Sequence, residues 1–284
     1  MSLARSDRLR VSDRAAKGSE MDHVLQDHLP SAPWMAEATR RLPGLQPLES
    51  GAPWLQRDEA FAGQMAVRDQ LVAERRAEVI AQMPGCQGAV AELYGAVLRG
   101  LAGCDGYAVG RGACVRPDGV DVPLDEGDPL GTLARLVQQD LCVLEKPEGG
   151  MEHVMSAAIL CFPASWSLAE KIGHPLSRIH GPVTEYDGLM ERRVQRVFDH
   201  LREDSPVWRQ NALIYDDPQL FQPRRMDARR PKPTGAGYLR SEKQVLMRLP
   251  VTRAVVFSIH TYVVAMEDLT ADQRAGLAGV DRVT

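Results

Sequence analysis

The pattern of this chain changes character near its middle, and that change restricts the possible folds more than any other feature. From Asp140 onward, short apolar runs recur: Asp140 to Glu145 (DLCVLE), His153 to Phe162 (HVMSAAILCF), Val207 to Tyr215, Tyr238 to Leu249 and Ala254 to Val264. Runs of this length, partly β-branched, predict strands. Before them the periodicity is helical. Asp58 can cap a helix over Glu59 to about Met83, whose Phe61, Met65, Leu71, Val72 and Val79 recur at near-helical spacing until Pro84-Gly85 ends it. A second helix is predicted from about Ala89 to Leu101. Within the strand-rich half, Trp166 to Ile172 reads as a helical turn or two. Leu189 to Leu201 reads as an amphipathic helix with Leu189, Val194, Val197, Phe198 and Leu201 on its apolar side. Helices first and a mostly antiparallel sheet later predict an α+β fold.

At 284 residues, with 44% hydrophobic and 25% charged side chains, the chain has enough apolar material for a full core. Residues 1–25 read as a flexible N-terminal tail, charged and without the apolar centre of a signal peptide; residues 26–284 read as one domain with a helical region at its start. A Pro- and Gly-rich segment over residues 42–54 precedes the first long helix, and residues 216–237 (DDPQLFQPRRMDARRPKPTGAG) form a surface loop. A net charge of -4 gives no general drive toward nucleic acid or anionic lipid, and no apolar run approaches a membrane span. The five cysteines (Cys86, Cys104, Cys114, Cys142, Cys161) include no CxxC pair; their odd number predicts reduced thiols and a cytoplasmic setting.

Motifs for chemistry are sparse. The chain has no phosphate loop, no dinucleotide glycine fingerprint, no HExxH and no GxSxG. Its seven histidines are scattered, and His174 and His180, six apart with Pro175 between them, are badly spaced for joint ligation. His180 stands out because a Gly-Pro step follows it at once, in SRIHGPV, and stiffens the backbone there. A neutral imidazole on such a segment can serve as the single axial ligand of a haem iron; the plainer reading is a turn-capping hydrogen bond. Arg209 and Asn211 lie two apart on a predicted strand, so their side chains share one face of the sheet.

A resemblance adds to this reading. The stretch CFPASWSLAEKIGHPLSRIHGPVTEYDGL is similar to a family signature of Cys-Phe-Pro-Ser-x-Trp, then E-K-x-G, then I-H-x-P-V. PVWRQNALIYDDPQLFQP resembles the same family's Arg-x-Asn segment and Asp-x-x-Leu-Phe tail. LRSEKQVLMRLPVTRAVVFSIHTYV resembles its R-x-E-R-Q-T-L-x-R-L-P strand and a following strand ending in Thr-Tyr, and GLQPLESGAPWLQRDEAFAGQMAVRDQLV resembles its N-terminal region. In order and over about residues 42–264, the chain is thus similar to the haem-dependent oxidative N-demethylase α-subunit-like family. That resemblance implies a PAS-like antiparallel sheet with flanking helices, holding haem b. The characterised type is the catalytic subunit of a complex that oxidatively demethylates dimethylamine with O2. Its partner subunits bring electrons from NADPH through FMN and a 2Fe-2S cluster and use tetrahydrofolate for the one-carbon unit. No such partner site is visible in this sequence, so the resemblance implies a separate flavin/iron-sulfur reductase.

Carried onto this sequence, the resemblance makes His180 the axial ligand, with Cys161 as the alternative. Arg209, Asn211, Glu242 and Tyr262 become the polar residues of the pocket. A guanidinium beside dioxygen stabilises developing negative charge, and a buried carboxylate can pair with an alkylammonium or with Arg209 itself. Phe162 and Trp166 read first as core, with porphyrin contact as the sharper alternative. Arg209 with Glu242 also fits a simple cross-strand ion pair, and Tyr262 a core position. The basic loop residues Arg224, Arg225, Arg229, Arg230 and Lys232 suit solvent or an acidic reductase. Three departures stand out: Ala212 where the family commonly has Trp, His260 before Thr-Tyr where Lys or Arg is usual, and Thr184-Glu185 in place of a Pro-Gly turn. Two function classes follow: a haem monooxygenase acting on a small amine, and a haem-based gas or redox sensor. The lack of a clear effector segment favours the enzyme.

Overall fold

The computed structural model describes residues 22–40, 44–180, 188–228, 232–235 and 237–277. Its strands are β1 (Gln46–Pro47), β2 (Ile80–Gln82), β3 (Ala108–Val109), β4 (Ala113–Val115), β5 (Asp121–Pro123), β6 (Asp140–Glu145), β7 (Val154–Ile159), β8 (Val207–Tyr215), β9 (Tyr238–Arg248) and β10 (Val255–Ala265). Its helices are α1 (Glu37–Arg40), α2 (Phe61–Glu74), α3 (Arg76–Val79), α4 (Gln87–Leu101), α5 (Pro129–Ala134), α6 (Leu176–His180), α7 (Gly188–His200) and α8 (Ala271–Leu277). Seven strands form one sheet in the order β1-β8-β9-β10-β6-β7-β2, every adjacent pair antiparallel, and β3-β4-β5 form a small second sheet. The predicted α+β architecture, an antiparallel sheet with flanking helices, is therefore what the chain adopts.

Both faces of the central strands are covered, which explains why β6 reads as an unbroken apolar run. Alternation sends Leu141 and Val143 to one face, where they join Val256, Leu71, Leu93, Val97 and Leu133 in the larger core under α2, α4 and α5. Cys142 and Leu144 face the other way, into a second core with Leu246, Val255, Leu176, Ile179, Phe198 and Leu201 beneath α6 and α7. Burial of Phe198 and Leu201 stabilises the docking of α7 by roughly 1.5–3 kcal/mol each. The tip of the β9–β10 hairpin is pinned to α4: the Glu92 carboxylate accepts the backbone N–H of Val251 and Thr252, both at 2.7 Å.

Three expectations need correction. The helix predicted to run to Met83 ends at Glu74; Arg75 leaves helical geometry, α3 makes one further turn, and Ile80–Gln82 become an edge strand paired with Ala157–Ile159. Sheet pairing overrides a helical periodicity that Val79, wholly buried, would fit either way. Asp58 is not the helix cap, since Ala60 holds that position. The Asp58 carboxylate accepts Ala60 N–H through Oδ1 and turns Oδ2 toward His260. Of the tail expected over residues 1–25, residues 1–21 lie outside the described residues, and its last residues are packed: Val24 and Leu25 are buried, and Gln26 N–H donates to the Val263 carbonyl at 3.0 Å. Gly63 fits this contact, because a Cβ there would collide with the His23 carbonyl. Among the described residues no helix is long and apolar enough to cross a membrane. All five cysteines are free thiols.

Candidate functional site

The register of β8, β9 and β10 sets the candidate residues out in rows. Asn211 pairs with Glu242 and Glu242 with Thr261; Arg209 pairs with Gln244 and Gln244 with Ile259; Leu213 pairs with Arg240 and Arg240 with Val263. Because side chains alternate, all nine share one face. The next row on that face is Val207, Leu246, Phe257 and Cys142, which opens into the core beneath α6 and α7. A polar patch therefore lies on the same side of the sheet as the helix that ends at His180, bordered by Ile259 and Phe257.

Glu242, only 6% exposed, is the centre of the patch. Its Oε2 accepts Asn211 Nδ2–H at 3.1 Å and Gln244 Nε2–H at 3.0 Å, while Asn211 Oδ1 accepts the Glu242 backbone N–H at 3.0 Å. The other oxygen, Oε1, lies 3.8 Å from Arg240 Nε, close enough for ion pairing and too far for a hydrogen bond. Arg240 is itself committed: Nη1 donates to the Leu220 carbonyl at 3.0 Å and Nη2 to the Phe162 carbonyl at 2.5 Å. Three enclosed polar atoms on this face lack a hydrogen-bond partner: Arg209 Nε, Arg240 Nε and Thr261 Oγ1. Burial pulls the Arg209 pKa below the ordinary arginine value, against the opposing pull of Glu242. The alternative of a plain Arg209–Glu242 cross-strand ion pair is not what forms: Arg240 lies beside Glu242 instead, and Arg209 sits diagonally across the register from the carboxylate.

The aromatic candidates are held differently. The Phe162 main chain is fixed from two sides, its N–H donating to Asp140 Oδ2 at 2.8 Å and its carbonyl accepting from Arg240. Its ring is buried in the larger core with the Arg68 guanidinium 5.1 Å from its centroid. Trp166 is half-buried, borders the second core and stacks against Lys171, whose Nζ is 5.2 Å from the ring centroid. The residue before it, Ser165, takes φ 65, a conformation that costs a non-glycine residue energy and turns the chain sharply here. His180 ends α6, and its side chain lies outside the described residues, as do Thr184 and Glu185. The preceding carbonyl, that of Ile179, accepts the Lys171 ammonium at 2.5 Å. Cys161 is wholly buried in the larger core, where burial pushes its thiol up to about 12 despite the nearby Arg68, so it is held as a neutral thiol.

Tyr262 is not part of this constellation. It follows Thr261 on the strand, so it faces the opposite side, and its hydroxyl donates to Gln56 Oε1 at 2.7 Å. There it stands 4.7 Å, ring to ring, from His260, whose Nε2 meets Asp58 Oδ2 at 2.8 Å and whose Nδ1 meets Gln139 Nε2 at 3.0 Å. Burial alone would raise the Asp58 pKa; the His260, Gln138 and Gln26 contacts hold it below the ordinary value. Ala212 lies on that face too, in a cluster with Trp34 and Tyr262. Two departures from the family pattern, Ala212 and His260, therefore lie behind the sheet and do not line the patch around Glu242. In the basic loop Arg225 pairs with Asp227 at 3.3 Å and Lys232 is exposed, while Arg229 and Arg230 lie outside the described residues.

Sequence reasoning missed Gln244, Arg240 and Thr261. The spacing rule that joins Arg209 to Asn211 also joins Glu242 to Arg240 and Gln244, two residues to either side. It missed Lys171 as well, a half-buried cation whose pKa desolvation drags from 10.5 to about 8, against the raising influence of Cys142 and Glu170. The folded value lies below the unfolded one, so the penalty is complete below about pH 8 and is relieved as pH rises toward 10.5. Wild-type stability should gain across that window. Lys171→Met, which keeps an apolar chain against Trp166, should lack that gain when urea midpoints are compared at each pH.

Among the described residues no three His, Cys, Asp or Glu side chains converge as a metal-ion site. Haem is held by one or two axial ligands in an apolar setting and needs no such cluster. The sequence from residue 44 to 280 matches the family described as haem-dependent oxidative N-demethylase, alpha subunit-like. That span takes in every strand of the large sheet and helices α2 to α8. The chain therefore belongs to the haem-dependent oxidative N-demethylase alpha-subunit-like family.

Proposed function

We propose that this chain binds haem b beside the Arg209–Asn211–Glu242 face of the sheet, and that His180 is the residue that would hold its iron. There it oxidatively N-demethylates a small amine with O2 and electrons from a separate flavin/iron-sulfur reductase. One observation carries the reading: on an otherwise packed face, a carboxylate with one oxygen free of hydrogen bonds lies beside unmatched buried donors, Arg209 Nε and Thr261 Oγ1. Buried polar atoms without partners are rare in native proteins, and a cluster of them points to a ligand. Phe257 and Ile259 give this face an apolar border beside the unmatched polar atoms, and Trp166 borders the same core as Phe257, a setting that would suit a porphyrin.

Haem, when bound, supplies the one-electron and dioxygen chemistry. The chain's own groups bind and orient. Glu242 accepts the N–H of a protonated amine through Oε1 and, once desolvated, holds it by a charge-assisted bond. Arg209, with no carboxylate among the described residues within bonding distance, keeps an uncommitted donor that would stabilise negative charge on dioxygen. Thr261 provides a hydroxyl that can donate to the same ligand, and α6 and α7 shield this side from water. The overall change consumes one O2, two electrons and two protons. It converts a dimethylamine-like substrate to the methylamine, formaldehyde-level carbon and water.

Titration of secondary amines into the ferric haem-loaded chain tests this. Dimethylammonium or a bulkier secondary amine should perturb the spectrum of the wild type. Glu242→Gln should lose that response while keeping the Soret band, and Arg209→Ala should weaken cyanide binding instead. Silent amines together with tight, reversible carbon monoxide binding would replace the enzyme by the gas or redox sensor.

A further inference from the structure

We propose that Gln244 is a positioning residue of this site: with Asn211 it holds Oε2 of Glu242, so that Oε1 is the oxygen presented to a ligand's N–H. The inference deepens the reading above and rests on it. A glutamate carboxylate rotates freely about its last torsion, and its two oxygens are ordinarily interchangeable. Here they are not. Two amide donors, one from β8 and one from β9, converge on Oε2 at 3.1 and 3.0 Å, and among the described residues none reaches Oε1. The Asn211 amide cannot turn over without loss, because its oxygen is occupied by the Glu242 backbone N–H at 3.0 Å. It must therefore aim Nδ2 at the carboxylate. Gln244 supplies the second constraint from the same strand as Glu242, two residues on and on the same face. Arg240, with Nε 3.8 Å from Oε1, adds its charge without taking up that oxygen's hydrogen-bonding capacity. Two donors on one oxygen and a cation at longer range beside the other fix both the plane of the carboxylate and its free acceptor.

This geometry also sorts ligands. An acceptor fixed in direction selects a cation with an N–H to place on it, and not positive charge alone. Dimethylammonium and trimethylammonium carry that N–H; tetramethylammonium has the same charge and similar shape but lacks it. The first two should bind and the third should not.

The test uses the full haem-loaded chain, with amine-induced difference spectra of the ferric haem as the readout. Gln244→Leu should keep the Soret band and lose roughly 10-fold in dimethylammonium affinity, the scale of one hydrogen bond to a charged group. Cyanide affinity, which the reading above assigns to Arg209, should stay at the wild-type value in Gln244→Leu. That contrast separates positioning through Glu242 from a general structural role. Wild-type dimethylammonium affinity in Gln244→Leu, an equal loss in amine and cyanide affinity, or binding of tetramethylammonium to the wild type as tight as dimethylammonium would overturn the proposal. Failure of haem uptake is a different failure and overturns the function proposed above. The clamp itself is then read from the haem-free chain by 15N side-chain amide resonances. Both the Asn211 and the Gln244 amides should shift in Glu242→Leu, and an unmoved Gln244 amide would refute it.

Discussion

His180→Ala should give a folded chain that no longer takes up haem, losing the Soret band that the wild type develops on titration. The segment that carries this residue is held by its neighbours in the chain. Leu176 and Ile179 are buried in the second core. The first turn of α6 is capped by Glu152, whose Oε2 accepts Ser177 N–H at 2.9 Å, and Lys171 holds the Ile179 carbonyl. None of these contacts uses the His180 side chain, so its removal should leave the thermal midpoint within a few degrees. Loss of a sole axial ligand should weaken haem binding by orders of magnitude. Cys161→Ala should leave the spectrum intact, because that thiol is neutral and enclosed in the larger core. His200→Ala should do the same: its ring bonds the Arg196 carbonyl 2.9 Å away at the end of its own helix, where the dipole favours it. An unchanged spectrum in His180→Ala with loss in Cys161→Ala would move the ligand to sulfur.

The largest effect on stability should come from Asp140→Ala. Asp140 is 1% exposed and Arg68 is wholly buried, with Nη1 to Oδ1 at 2.7 Å. The same carboxylate accepts the backbone N–H of Cys161 and of Phe162, both at 2.8 Å, and so turns the chain out of β7 toward the candidate site. Truncation strands a buried guanidinium and two backbone donors at once. Breaking a buried pair from one side costs about 3–5 kcal/mol, a large part of a typical domain's stability. Replacing both partners, as in Arg68→Met with Asp140→Leu, should cost less than the single change, since no charge is then left uncompensated. Urea denaturation of the three variants measures this. A loss below about 1 kcal/mol in Asp140→Ala would show that the pair is not the bracket described here.

Strands were the most legible part of the sequence, because a period of two and a run of apolar residues are local properties. Val207 to Tyr215 is predicted and found with the same ends, and the neighbouring strands shift by a residue or a few. The break after Glu74 was not legible. Whether Ile80–Gln82 extend a helix or edge a sheet is decided by Ala157–Ile159, some 75 residues on, which a local pattern cannot see. The same distinction governs the site. That Arg209 and Asn211 share a face follows from spacing within one strand. That Glu242 joins them, and that Tyr262 turns away to Gln56, depends on the register between strands. Gln244 was within reach of the spacing rule once Glu242 was chosen. The exchange of partners by which Arg240 ion-pairs with Glu242 and leaves Arg209 uncommitted was not, because two arginines on adjacent strands offer alternative pairings and packing chooses between them.

A haem titration of the wild-type chain, followed in the Soret region, tests the central claim most directly. A Soret band that grows linearly and saturates at one haem per chain is the result expected if an apolar slot with one axial ligand lies beside the Glu242 face. A spectrum that stays that of free haem throughout the titration would contradict it.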